Sequence, residues 1–182
     1  MSYDPVRHGA NCKNCPRRGQ TPVGPSGPTG ARICWLGQDP GVTEVQMGQP
    51  FVGATGKRLA NIWAQAEKSI GKEIPRREIF VTNTCCCLPV TKSPKEAKLA
   101  ADCCRPRLLA ELSQLHPDAW ILAMGKWAYY ALSGKLKGQG KFQGFHLPWR
   151  PDEAGESSPA DMGSGGGDGE EDPDVVQDDD PA

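Results

Sequence analysis

The residues best placed for chemistry sit at the ends of short apolar runs. Ile33-Cys34-Trp35-Leu36 gives way at Gly37 to Gln38-Asp39-Pro40-Gly41, which sets an amide and a carboxylate beside a glycine turn. Downstream come Pro50-Phe51-Val52-Gly53 and a second run, Ile79-Phe80-Val81-Thr82, that ends at Asn83. A fixed carboxylate can stabilise developing positive charge and accept a proton from water. An aromatic face can hold a planar group, and an amide can read its donor and acceptor edge. Asp39, Phe51 and Asn83 are the candidates for these three tasks, with Gln38 beside the carboxylate.

A second constellation is the cysteines, eight in 182 residues. Cys12 and Cys15 form a CxxC clip, Cys85-Cys86-Cys87 follow the second apolar run, and Cys103-Cys104 lie in a helical pattern. Thiolates drawn from a loop, a strand end and a helix converge only through the fold, as a four-cysteine metal site requires. Spacing alone does not separate an iron-sulfur cluster from zinc. Cys34, within an apolar run, is expected to be a buried apolar residue.

The elements that must position these groups alternate. Strands are expected at Arg32–Leu36, Ile79–Thr82 and Ala119–Ala123. A helix is expected to start at Thr55 as N-cap and to present Leu59, Ile62, Trp63, Ala66 and Ile70 on one stripe. Another opens at Ser93-Pro94-Lys95-Glu96, with an N-cap, a first-turn proline and a capping-box glutamate. It should run towards Leu115, kinked or divided at Pro106. A short helix carrying Trp127, Tyr130 and Leu132 follows Met124-Gly125-Lys126, and the Pro/Gly-punctuated stretch 19–30 reads as a loop. Strands alternating with helices imply an α/β fold: a three-layer α/β/α sandwich around a small parallel sheet of three to four strands. Ligands of such sheets bind beyond the carboxyl ends of the strands, which brings Gln38, Asp39 and Asn83 to one crevice.

Charge divides the chain. Residues 151–182 hold 12 acidic side chains and no Lys or Arg, so residues 1–150 carry all 21 basic groups against 10 acidic ones, a net of +11. A body of that sign suits a polyanion, nucleic acid first. Residues 1–150 are therefore expected to form the domain, and the Gly/Pro-rich acidic stretch 151–182 a disordered tail. No run of 18 apolar residues and no apolar leader is present, which gives no support to a membrane span. A cytoplasmic, nucleoid-associated monomer with reduced cysteines is expected.

With these residues in place, the chain resembles the iron-sulfur branch of the uracil-DNA glycosylase superfamily. The resemblance rests on Cys12/Cys15, Gly37-Gln38-Asp39-Pro40-Gly41 with Glu44, Gly48-Gln49-Pro50-Phe51-Val52-Gly53 with Gly56, Thr82-Asn83, Cys87, Cys104-Arg105-Pro106-Arg107-Leu108, and Ala119 to Gly125. It implies excision of uracil, or a related modified base, from DNA in base excision repair. It also implies a 4Fe-4S cluster on Cys12, Cys15, Cys87 and Cys104, leaving Cys85, Cys86 and Cys103 spare. Phe51 would stack on the flipped base and Asn83 would bond its edge, with Gln38 and Gly41 beside them. Glu44 matches a position that crowds the 5-position of the base and excludes thymine. Gly-Gln-Asp-Pro departs from that branch and resembles the first motif of the best-known uracil-DNA glycosylases, which implies that Asp39 activates water.

The family closes on a His-Pro motif whose histidine stabilises the departing base. Gly144-Phe145-His146-Leu147-Pro148-Trp149 resembles only the segment before it, so His146 is the one candidate substitute, while His8 and His116 read as structural. The alternative function is therefore a glycosylase-like DNA-binding or accessory protein with weak or lost catalysis. The acidic stretch either solubilises the chain, competes with DNA for the basic body, or recruits a basic or DNA-processing protein. If it competes, deleting residues 151–182 tightens DNA binding at low salt in a fluorescence titration; unchanged affinity rejects competition.

Overall fold

The computed structural model describes residues 3–91 and 93–134 and, as backbone, the strand 142–146. Four strands, β1 (Ile33–Gly37), β2 (Phe80–Asn83), β3 (Trp120–Met124) and β4 (Phe142–His146), form one sheet in the order β2-β1-β3-β4. The first three are parallel, each one residue further along the chain than expected. Three parallel strands match the small parallel sheet expected, and a fourth, β4, runs antiparallel along β3.

Alternation along the strands creates the two outer layers. Cys34, Leu36, Phe80, Ile121 and Ala123 pack with Leu108 and Leu112 of α3 (Pro94–Leu112) and with Ala128, Ala131 and Leu132 of α4 (Lys126–Ser133). Trp35, Val81 and Leu122 face the opposite way, onto Leu59 and Trp63 of α2 (Ala54–Ile70). Cys34 is thus the buried apolar residue expected. The α2 stripe is narrower than the sequence pattern, since Ile62 and Ile70 remain 45% and 64% exposed.

The cap of α2 is Gly53, not Thr55. The Gly53 N–H is taken by the Glu44 carboxylate at 2.7 Å, which starts the helix two residues early. At α3 the Ser93 hydroxyl accepts from the Lys95 N–H at 3.2 Å as a cap should. Glu96 instead turns to the Val90 and Thr91 amides, so no capping box closes. Pro106 neither divides α3 nor ends it. It removes one internal hydrogen bond, and the N-terminal segment packs against the helix there, with the Asn11 N–H donating to the Cys103 carbonyl at 2.9 Å.

The expected loop 19–30 has a definite task. Ser26 and Val81 exchange backbone bonds of 2.9 and 2.7 Å, and the Val23 N–H donates to the Cys86 carbonyl at 2.7 Å. This segment covers the outer border of β2, which would otherwise offer unpaired amides. Among the described residues no helix is long and apolar enough to cross a membrane.

Between α3 and the sheet lies a fully buried ion pair. Arg107 Nη1 donates to Glu111 Oε2 at 2.7 Å, and Arg107 Nη2 donates to the carbonyls of Asn83 and Thr84 at 2.6 and 2.9 Å. Glu111 also accepts from the Thr82 hydroxyl at 2.7 Å and from the Tyr3 hydroxyl. Removing one member strands the other's charge in the interior. Arg107→Met should lower the unfolding free energy by about 3–5 kcal/mol in a denaturant titration, and a loss below about 1 kcal/mol would show that the pair is dispensable.

Candidate active site

The carboxyl ends of the three parallel strands open on a hollow of about 520 Å³ lined by Gly37, Gln38, Asp39, Gly41, Glu44, Phe51 and Asn83, with Met124 opposite. The residues singled out in the sequence for substrate contact therefore share one site. Gly37 makes its floor possible. A Cβ there would fall 2.4 Å from Asn83 Oδ1 and 2.6 Å from Phe51 Cζ, so the amide and the ring edge close on a point that only glycine leaves free.

Phe51 has φ of +59°, a left-handed conformation unusual for a large side chain. Its carbonyl lies against α2, where a Cβ on Gly56 would be 1.8 Å away. The packing of α2 thus holds the ring over the hollow, against backbone strain of about 1–3 kcal/mol. Asn83 is buried, and its carbonyl is fixed by Arg107. Beyond it the strand ends stay zipped, with the Thr84 N–H donating to the Gly37 carbonyl at 2.8 Å and the Cys85 N–H to the Gln38 carbonyl at 2.9 Å.

Asp39 is held from both sides. Its Oδ2 accepts from Gln38 Nε2 at 2.8 Å and its Oδ1 from Arg17 Nη1. Sequence reasoning missed Arg17, since an arginine next to a CxxC clip looks like surface charge. Glu44 is buried. It lies in α1 (Val42–Met47), a helix the sequence pattern did not reveal, and it clasps the two helix starts: Oε2 accepts the Gly41 N–H at 3.1 Å and Oε1 the Gly53 N–H.

His146 requires a correction. The antiparallel register sets its backbone opposite Trp120, whereas Phe142 sits opposite Met124 beside the hollow. Four residues of strand, roughly 13 Å, separate the two ends, and a catalytic role for His146 is not retained. The sequence's one His-Pro pair, His116-Pro117, precedes β3 at that same far end, where His116 meets Arg32 at 3.0 Å. His8 stacks on Tyr3.

Cys12, Cys15, Cys87 and Cys104 line a second cavity, of about 350 Å³, together with Cys86. Cys85 and Cys103 are absent from its lining. The Cys104 thiol is pushed down by hydrogen bonds from Cys85 and Cys86 and by the Arg107 charge, and the Cys87 thiol by a hydrogen bond from Cys86 and the charges of Arg17 and Arg107. Burial pushes Cys12 and Cys15 up. Among the described residues no three His, Cys, Asp or Glu side chains converge on a single-ion position. One zinc would need its sulfurs about 2.3 Å from a common point. Cys12, Cys15, Cys87 and Cys104 are instead spread around the cavity.

A family model described as the uracil DNA glycosylase superfamily matches residues 25–162. A type-4 uracil-DNA glycosylase of Saccharolobus solfataricus is 28% identical over 151 residues, covering 80% of this chain and 66% of that protein. Those of Thermotoga maritima and Archaeoglobus fulgidus are 30% and 32% identical over 143 and 130 residues, 76% and 69% of this chain and 69% and 60% of theirs. The chain thus spans about two thirds of the length of these relatives. Cys12, Cys15 and Arg17 precede the family match, and the acidic stretch 151–182 lies outside the described residues.

Glu96 joins the site through Arg17 Nε, at 2.9 Å. Burial pushes its carboxyl up, but hydrogen bonds from Thr91, Arg17 and the Val90 amide outweigh that and hold it at about 2. A depressed carboxyl contributes stability above its ordinary value of 4.5 and loses it as pH falls towards 2. The stability difference between wild type and Glu96→Gln should be constant above about pH 5 and shrink from there to about pH 2 in thermal unfolding; a difference that grows on acidification contradicts this account.

Proposed function

The chain belongs to the uracil DNA glycosylase superfamily, and from that premise we propose that it hydrolyses the N-glycosidic bond of uracil, or a related modified base, in DNA as a base excision repair enzyme. The observation that carries the reading is the shared hollow: the ring of Phe51, the amide of Asn83 and the carboxylate of Asp39 all border it. A base in a duplex must leave the stack before its glycosidic bond can be attacked. The Phe51 face and the Asn83 amide would receive it, and a wall formed by Glu44 would meet its 5-position. The net +11 of residues 1–150 would neutralise backbone phosphates.

As the base departs, the sugar gains oxocarbenium character. Asp39 faces that charge in this reading and orients the attacking water, accepting its proton as the new C–O bond forms. Two donors already occupy one site on each carboxylate oxygen. A carboxylate has about four acceptor positions, so the remaining ones can take the water.

We read Cys12, Cys15, Cys87 and Cys104 as the ligands of a 4Fe-4S cluster, with zinc the less suited alternative for the spread of thiols described above. Such a cluster would supply a cross-link between the N-terminal clip, the end of β2 and α3. A second reading has one observation in its favour: among the described residues no histidine lines the hollow. Losing one preorganised donor to a departing anion costs about 10²–10³ in rate, so this reading is of a DNA-binding protein with weak or lost catalysis.

Uracil-containing single-stranded and duplex oligonucleotides, incubated with excess protein and then treated with alkali, should be cleaved. Asp39→Asn should slow cleavage by at least about 10²-fold while DNA affinity persists. Salt-sensitive binding without any abasic product would reject the enzyme and leave the binding protein.

A further inference from the structure

Arg17 belongs to none of the motifs that carry the family resemblance, yet its side chain is 1% exposed and reaches three separate segments. Nη1 pairs with Asp39 and also donates to the Cys87 carbonyl at 3.0 Å, while Nε meets Glu96 at 2.9 Å. Two residues before it stands Cys15, and Arg17 itself lines the cysteine cavity. The residue is therefore a strut between the two cavities: one side borders the thiols, and its tip grips the carboxylate that borders the hollow.

We propose that Arg17 is the positioning residue for Asp39, the part through which the cysteine-lined cavity sets the orientation of that carboxylate; the proposal rests on the glycosylase reading. Asp39 follows a strand end and precedes Pro40-Gly41, where nothing in the local backbone would choose its side-chain rotamer. Arg17 anchors Oδ1 and Gln38 anchors Oδ2, so both torsions are fixed and the unused acceptor positions point in set directions. Buried ion pairs are a weak source of net stability, and orientation accounts better for carrying this one. Arginine suits the task because its planar fork presents several donors at fixed angles, so one guanidinium serves Asp39, Glu96 and the Cys87 carbonyl together.

The test is the single-turnover rate of excision from a uracil-containing single-stranded oligonucleotide by wild type, Arg17→Met, Arg17→Lys, Asp39→Asn and the double variant of Arg17→Met with Asp39→Asn. Fluorescence anisotropy on the same oligonucleotide gives DNA affinity, and visible absorbance gives cluster content. Arg17→Met should slow excision about 10²-fold, the scale of a misplaced catalytic group, with affinity and absorbance unchanged. Arg17→Lys, which keeps the charge without the fork, should recover part of the rate. In the Asp39→Asn background, Arg17→Met should have no further effect, because a residue acting only through the carboxylate has nothing left to position.

Excision by Arg17→Met at or above the wild-type rate overturns the proposal, as does a further loss of rate in the Asp39→Asn background. If Arg17→Met does not fold, combining it with Glu96→Gln removes the second buried charge and takes its place in the series. No excision by wild type removes the glycosylase reading and the role of Arg17 with it, whereas a wild-type rate that Arg17→Met matches removes the role alone.

Discussion

Arg107 has no exposed surface, and the shape of the site depends on where its guanidinium points. Two of its donors hold the carbonyls of Asn83 and Thr84, at the place where β2 stops being a strand and becomes a functional loop. A strand end is a weak place to hold a side chain, because the ladder that fixed its backbone is running out. Arg107 replaces the missing ladder with charge-assisted bonds in a region without competing water. Glu111 balances the charge, and Thr82 and Tyr3 satisfy Glu111, so the N-terminal segment, β2 and α3 share one polar network.

Arg17 acts beyond the end of β1, where it pairs with the Asp39 side chain. Both arginines come from segments that also bring cysteines to the second cavity, Arg17 two residues after Cys15 and Arg107 three after Cys104. The framework that gathers the thiols is therefore continuous with the framework that gathers Asp39 and Asn83. A cluster held by those thiols, as proposed, would therefore be tied to the hollow through the same polar framework.

Much of the site was legible in the sequence because it obeys local rules. Short apolar runs ending at glycine or asparagine located Gly37 and Asn83 at strand ends, and the parallel order of three strands then brought Asp39 and Asn83 to one rim. Long-range polar partnerships were not legible. Arg17 meets residues 22 and 79 positions away, and no spacing pattern announces such a contact. The clasp that Glu44 makes was not legible either, because its partners are backbone amides, which carry no sequence signature. The same limit displaced the α2 cap from Thr55 to Gly53. His146 was misplaced for a topological reason: the direction of β4 depends on the connection before it, and residue types do not encode that direction.

The hollow owes its depth to an atom that is missing. A methyl group at Gly37 would meet both Asn83 Oδ1 and Phe51 Cζ, so a substitution there must displace the amide or the ring. Under the proposed function, a different base preference would arise more readily through the walls, at positions such as Thr43, Thr55 or Met124. In that reading the sides of the hollow tolerate change with less disturbance to Asn83 and Phe51 than its bottom does.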